Sequence, residues 1–268
     1  MMNTPWTGRV APFRIFGNLY FVGTEPASSH MIETEEGLIL IDSGYPQSLY
    51  LVIESIWELG FDPRKIRCIV HSHGHYDHLG ATRALKELTG AKTFLGAEDF
   101  DYANGKLDLT WAKELGHVYH EAFEPDVALH DGDVICLGST EIQCVSTPGH
   151  TPGTISFFFD VAENGFRLRA GMHGGVGVNS MTRKFLDAYG LSCDCREKFF
   201  AGLDRLKREH VDLHLGNHVG CNDTLGKARR MKQERKNPFI DPSEWPVFLE
   251  RCRANLQRQI DAEQEGLS

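Results

Sequence analysis

The chain has 268 residues, of which 41% are hydrophobic and 24% charged, with a formal net charge of -9. A folded chain of this length buries about three quarters of its unfolded surface, so a full core is available, and the composition is that of a globular protein. The acidic balance excludes a general nucleic-acid binder, which needs a concentrated basic face, and no stretch approaches the roughly 18 apolar residues that cross a bilayer.

The amino terminus, Met1 to Val10, carries no apolar signal core. The cysteines (Cys68, Cys136, Cys144, Cys193, Cys195, Cys221 and Cys252) are odd in number and scattered, unlike a disulfide framework. A reducing cytoplasm is therefore the expected compartment, and a small molecule the expected partner.

Asn18 to Val22 and Gly37 to Asp42 read as strands, separated by the polar Glu33-Thr-Glu-Glu36. Gln47 to Leu59 has helical spacing, with Leu51, Ile53, Ile56 and Leu59 apolar and Gly60 as the stop. Ile66 to Val70 is a buried-strand candidate that runs straight into His71-Ser-His-Gly-His-Tyr-Asp-His78. A helix over Gly80 to Thr89 and a strand over Lys92 to Leu95 follow. Further on, Asp133 to Leu137, Glu141 to Ser146, Thr154 to Phe159, Phe166 to Ala170 and Val211 to Leu215 are strands, and Cys195 to Glu209 is a helix. Residues from Thr224 onward read as a helical cap, broken at Asn237-Pro-Phe-Ile-Asp-Pro242. Its basic run, Lys227 to Lys236, reads as a solvated helix face. Strand groups alternating with helices predict a layered α/β protein with two packed sheets and helices outside. No low-complexity linker divides the chain, so one domain over 1–268 is expected, with halves at about 1–125 and 126–223 and a cap at 224–268.

The chemistry is concentrated in His73-x-His75-x-Asp77-His78, four potential ligands at the end of a strand. Zinc takes imidazole nitrogen and carboxylate oxygen readily. Alternate side chains of an extended segment share a face, so His73 and His75 can reach one ion together, and the following turn can swing Asp77 and His78 toward a second. His71 falls outside this spacing and reads as a packed, hydrogen-bonded residue. Thr147-Pro-Gly-His-Thr-Pro-Gly153 offers His150 on a backbone stiffened by proline. Leu215-Gly-Asn-His-Val-Gly220 offers His218, while His214, inside the strand, reads as structural.

This set, with Ala11 to Thr24, Leu40-Ile-Asp-Ser-Gly44 and Asn237 to Pro242, resembles the metallo-β-lactamase superfamily, and its third subclass of true metallo-β-lactamases in particular. The resemblance implies a four-layer αββα sandwich of two mixed sheets packed face to face, with helices on both outer sides. It places a first zinc on His73, His75 and His150, and a second on Asp77, His78 and His218. Asp42 would orient a ligand without touching metal. Asp77 would also orient the metal-bound hydroxide that attacks a carbonyl, making it the catalytic carboxylate. Met172 stands where many superfamily hydrolases have a bridging aspartate and other subclasses a cysteine, as the third subclass allows. The serines with which that subclass helps hold the β-lactam carboxylate are not clearly reproduced in Gly174 to Ser180.

The implied activity is dinuclear zinc hydrolysis of a β-lactam-like cyclic amide. A lactone, thioester or other ester is the alternative substrate, and a catalytically inactive metal-binding protein the third reading. Iron or manganese can replace zinc on such ligands. His173 is open to a metal, substrate or supporting role, and Cys221, three residues past His218, falls near the site. Cys193-x-Cys195 lacks the two-residue spacing of a redox pair and reads as free thiols. The loops 97–116 and 171–189 are expected to shape the substrate site.

Overall fold

The computed structural model describes residues 4–266. Among these, a seven-stranded and a five-stranded sheet form. In the first, β1 (Phe13–Phe16), β2 (Leu19–Phe21), β3 (His30–Thr34) and β4 (Gly37–Ile41) run antiparallel to their neighbours. Next, β5 (Ile66–Val70), β6 (Lys92–Gly96) and β7 (Val127–Leu129) continue parallel to β4. The second sheet is antiparallel through β8 (Val134–Leu137), β9 (Thr140–Ser146), β10 (Ile155–Glu163) and β11 (Phe166–Met172), and closes with β12 (Leu213–Leu215) parallel to β11.

The apolar pattern explains the layering. Ile39 and Ile41 of β4 meet Phe157 and Phe159 of β10 in the core between the sheets, while Leu38 and Leu40 face the other way. There they pack on Val52 and Ile56 of α1 (Leu49–Glu58) and Leu85 of α3 (Thr82–Thr89). Phe158, between the two inward phenylalanines, meets Trp245 edge-on at 5.8 Å. Trp245 belongs to α8 (Glu244–Gln264), which covers this outer face together with α6 (Asp194–Leu206). Strands buried on both faces read as unbroken apolar runs, and the result is the four-layer αββα sandwich expected from the sequence.

Several boundaries differ. The helix expected over Gly80–Thr89 starts at Thr82 as α3 and is ended by Gly90 in the left-handed conformation (φ 66), and a separate short helix, α2 (Tyr76–Leu79), precedes it. β3 lies between the two strands expected at Asn18–Val22 and Gly37–Asp42, where none was expected, and takes in Glu33 and Thr34 because Glu33 pairs with Leu38 across a tight hairpin and faces solvent. α4 (Phe100–Ala103) and α5 (Arg183–Tyr189) fall in segments expected as loops. α5 begins where Thr182 Oγ1 accepts the Phe185 N–H at 3.3 Å. The cap is broken as expected, α7 (Thr224–Met231) preceding α8, but its basic run is not wholly solvated. Lys227 is buried, bonds Glu244, and lies 5.3 Å from the Phe239 ring. Its aliphatic stem fills space between α7 and α8 that a shorter side chain would leave open. No helix among the described residues is long and apolar enough to cross a membrane.

Candidate metal centre

Three strand ends converge here. β5 ends at Val70 and leads through His73 to His75, which caps α2 in an extended conformation (φ -83, ψ 154). Asp77 and His78 therefore occupy the first turn of α2, off the extended line of His73 and His75 but close enough that His73, Asp77 and His78 also offer donor atoms within 4.8 Å of one another. β9 ends at Ser146 and leads into the turn bearing His150, and β12 ends at Leu215 just before His218.

His73, His75 and His150 each offer a ring nitrogen within 4.8 Å of the others, all buried. Beside them, His78 Nε2 lies 3.2 Å from Asp77 Oδ2 and 3.3 Å from His218 Nε2, and His218 Nε2 lies 3.5 Å from Asp77 Oδ2. The rings of His73 and His78 are 4.1 Å apart, so the two groups adjoin. All six residues proposed from the sequence as ligands are thus gathered in one place.

The outer nitrogens determine which lone pairs face inward. His73 Nδ1 donates to the Gly174 carbonyl at 2.8 Å, His150 Nδ1 to Gly177 at 2.7 Å, and His218 Nδ1 to Pro26 at 3.0 Å. A carbonyl only accepts, so Nδ1 holds the hydrogen in each and Nε2 keeps its lone pair. His73 Nε2 is buried and has no hydrogen-bond partner. A buried acceptor left unpaired is costly, and a cation would satisfy it.

His78 relies on a side chain instead. Its Nδ1 donates to Asp42 Oδ2 at 2.8 Å, and Asp42 also accepts from Ser72 N and Ser72 Oγ, both at 2.7 Å. Asp42 adopts φ 59, a left-handed conformation that aspartate tolerates better than most residues. It lies directly behind the His78 ring.

Electrostatics divide the two groups. Burial depresses His73 and His75 well below the usual imidazole value and takes His150 down to about 4, so these rings stay neutral. Burial also opposes charge on His78, but Asp77 and Asp42 outweigh it and raise its pKa to about 10. Burial likewise disfavours ionised Asp77, yet His78 and His218 hold it far below the usual carboxylate value. Two carboxylates around one imidazole draw positive charge to this spot, as a proton or as a metal ion. A neutral histidine triad beside one that contains a carboxylate suits a pair of divalent cations.

His71 bonds the Phe94 carbonyl and Thr82 Oγ1, at 2.8 and 2.7 Å, and takes no part in either group. His214 is buried in β12 against Trp245 and Phe248. Met172 ends β11 inside the core. His173 is buried, with Nδ1 accepting from Gly175 N, and Cys221 Sγ contacts Asn217 Oδ1 at 3.4 Å. All seven cysteines are free.

A cavity of about 180 Å³ opens onto His75, Asp77, His150 and His218, lined among others by Tyr45, Trp111, Leu115, Val176 and Asn179. The two loops expected to shape it touch each other: Trp111 packs on Phe185 at 4.7 Å, and Tyr189 Oη donates to Glu114. Trp111 and Tyr45 escaped sequence reasoning. Trp111 adopts φ 67, for which a tryptophan in sequence gives no signal. Asn217 was missed as well; it donates to the same Gly174 carbonyl that His73 uses, at 3.0 Å, and its place beside His218 is the only hint.

The chain belongs to the metallo-beta-lactamase superfamily, whose family model matches residues 22–163. It is similar over 100% of both chains to BJP-1, a subclass B3 metallo-beta-lactamase of Bradyrhizobium japonicum, with 27% identity and a TM-score of 0.89. Native FEZ-1 metallo-beta-lactamase of Legionella gormanii shares 29% identity over 96% of this chain and 98% of that one, with a TM-score of 0.87. Among curated proteins, the probable metallo-hydrolase YflN of Bacillus subtilis is 28% identical over 53% of this chain and 56% of its own length. An N-acyl homoserine lactonase of Bacillus thuringiensis is 24% identical over 52% of this chain and 60% of its own. The chain spans little more than half the length of these two curated relatives. Family, fold and relatives named as hydrolases support a metal-dependent hydrolase.

Proposed function

We propose that the chain is a dinuclear zinc hydrolase of a β-lactam-like cyclic amide. In this reading His73, His75 and His150 hold one ion, and Asp77, His78 and His218 the other. The observation that carries it is the triangle of His78 Nε2, His218 Nε2 and Asp77 Oδ2, with sides of 3.2 to 3.5 Å, set against a neutral three-histidine cluster. Likeness to subclass B3 enzymes along the whole chain supports the amide substrate.

When bound, zinc lowers the pKa of water to about 7 and polarises a carbonyl oxygen. The chain's own residues do the rest. Asp77 uses Oδ2 toward His78 and His218, and its other oxygen is left to accept a hydrogen bond from the attacking water and so fix its direction. Asp42 holds the His78 ring, and the Gly174, Gly177 and Pro26 carbonyls hold His73, His150 and His218. Burial and the nearby Asp77 raise the Tyr45 phenol well above its usual pKa. Tyr45 therefore stays protonated and presents a donor to substrate at the mouth. Trp111 and Leu115 exclude water from one side.

A lactone is the second reading, favoured by one observation. Among the described residues lining the 180 Å³ cavity there is no lysine or arginine, so a substrate carboxylate there finds only neutral donors and imidazoles, while Lys198, in the adjoining cavity that also reaches His75 and His150, is paired with Asp194. The partner in either reading is a small molecule. A chromogenic cephalosporin and a lactone and thioester panel, assayed on zinc-loaded protein against His75→Ala, separate the two. Cephalosporin turnover above the variant supports the first reading; lactone turnover alone replaces it with the second. A bound stoichiometry of one zinc per chain overturns the dinuclear centre.

A further inference from the structure

One buried carboxylate stands outside the chemistry above. Asp99 ends the 3-10 turn Ala97–Asp99, directly after β6, and is fully buried. Its hydrogen-bond partners are all neutral: Gly74 N and Thr151 Oγ1 donate to Oδ2 at 2.7 and 2.6 Å, and Gly153 N donates to Oδ1 at 2.7 Å. Burial pushes its pKa up to about 6, opposed by those same three donors. A buried carboxylate without a cationic partner is expensive for a fold to keep, and helix capping or an ion pair does not account for this one.

Its position does. Gly74 is the residue between His73 and His75, and Thr151 is the residue after His150. The donors therefore come from the two loops that together carry all three members of the neutral histidine cluster. Both loops close tightly on the carboxylate. A Cβ at Gly74 would lie 3.0 Å from Asp99 Cβ, and one at Gly153 would lie 2.6 Å from Asp99 Cγ. A Cβ at Gly96, the last residue of β6 and three residues before Asp99, would lie 2.0 Å from the Gly153 carbonyl oxygen. Glycine at 74 and 153 is explained by the close approach of backbone to one acidic side chain, and glycine at 96 by the backbone of the same turn at Gly153.

We infer that Asp99 is the positioning residue of the first metal site, bracing the His73–His75 segment against the His150 turn so that their ring nitrogens are spaced for one ion. The inference rests on the proposed metal role of those histidines and is independent of the substrate. His78 and His218 hang on other supports, Asp42 and the Pro26 carbonyl, and none of the three donors to Asp99 belongs to Asp77, His78 or His218, so the brace acts on the first site.

The test is a Co2+ titration of metal-free protein, followed by ligand-field absorption, with zinc competition against a chelator and a separate melting curve for each metal-free variant. Asp99→Asn keeps the size of the side chain but turns an N–H2 toward at least one of three donors. Thr151→Val removes a single bond and leaves the carboxylate in place. Asp99→Asn is expected to weaken the first-site phase about 10–100-fold, the usual effect of removing a group that orients ligands, and to leave the second-site phase unchanged. Thr151→Val weakens the same phase by less, and decides the matter if Asp99→Asn does not fold. Phases that are unchanged, or that weaken together in step with a lower melting temperature, overturn the inference and leave Asp99 a general structural hub. A wild-type chain that takes up no Co2+, or a His75→Ala chain that binds it as wild type does, overturns the metal centre itself and this inference with it.

Discussion

Gly175 passes directly beneath the His150 ring, which makes Gly175→Ala a sensitive probe of the centre. A Cβ there would lie 2.6 Å from His150 Cδ2 and 3.1 Å from its Cβ and Cγ. Ordinary carbon contacts are about 3.5–4.0 Å, so the ring or the loop must retreat by about 1 Å. The ring is not free to do so, since Nδ1 is tied to Gly177 O at 2.7 Å and to Ser180 Oγ at 3.2 Å. Gly175 is not among the residues of positive φ, so the methyl group acts by contact and not through backbone strain. A misplacement of about 1 Å at a reacting centre costs on the order of 100-fold in rate, or about 2.7 kcal/mol. Zinc affinity by chelator competition and kcat/KM on the active substrate should both fall by about that factor, with little change in the melting temperature of the metal-free chain. Gly220→Ala is the matched control, since nothing lies within 4 Å of its added carbon. Wild-type zinc affinity and kcat/KM in Gly175→Ala would refute the reasoning.

Other expectations follow from the same contacts. Asp42→Asn keeps a residue tolerant of φ 59 but removes the anionic acceptor behind His78, and should weaken the second-site phase of a Co2+ titration about 10–100-fold; an unaltered second phase contradicts it. Lys227→Ala leaves Glu244 half-buried without its partner, a loss of about 3 kcal/mol. Thermal melts should show a drop of roughly 6–12 °C, and Lys227→Met with Glu244→Leu should recover most of it. Asp99 has a folded pKa of about 6, above its ordinary value of 3.8, so its contribution to stability is greatest at low pH and is lost as pH rises through 6. Denaturant melts of metal-free Asp99→Asn should therefore gain on wild type between pH 5 and pH 7, and an equal gap at both values removes the premise. Trp111→Ala unseats the contact with Phe185 and should raise KM more than it lowers kcat.

The ligand-rich segment was readable because four donor side chains in six positions leave little else for His73 to His78 to be. His150 and His218 were readable because turn residues after a strand give a histidine a fixed address. What escaped has no side-chain code. The partners of His73, His150 and His218 are main-chain oxygens, and any residue at those positions supplies one. Asp99 lies 25 residues from Gly74 and 52 from Thr151, and in sequence it is one acid in an ordinary Ala-Glu-Asp turn. β3 was missed because the stretch before Gly37 ends in a run of Glu33 to Glu36 that looked like a loop, although a hairpin with one wet face accepts exposed glutamate. α5 had both its signals, Thr182 before it and Gly190 after it, but only Phe185 and Leu186 suggest an apolar stripe in seven residues. Lys227 was misjudged because its pairing with Glu244 spans the irregular stretch between α7 and α8, which no local pattern connects.

The dependence of three imidazoles on peptide oxygens has a bearing on how this protein can change over generations. No codon replacement deletes a main-chain acceptor, so the lips of the cleft near Pro26 and Gly177 can drift toward new substrates while the rings beneath keep their aim. His78 has no such insurance, since its acceptor is a side chain and one base change at Asp42 removes it. The half of the centre that includes Asp77 is therefore the half in which variation should be tolerated least.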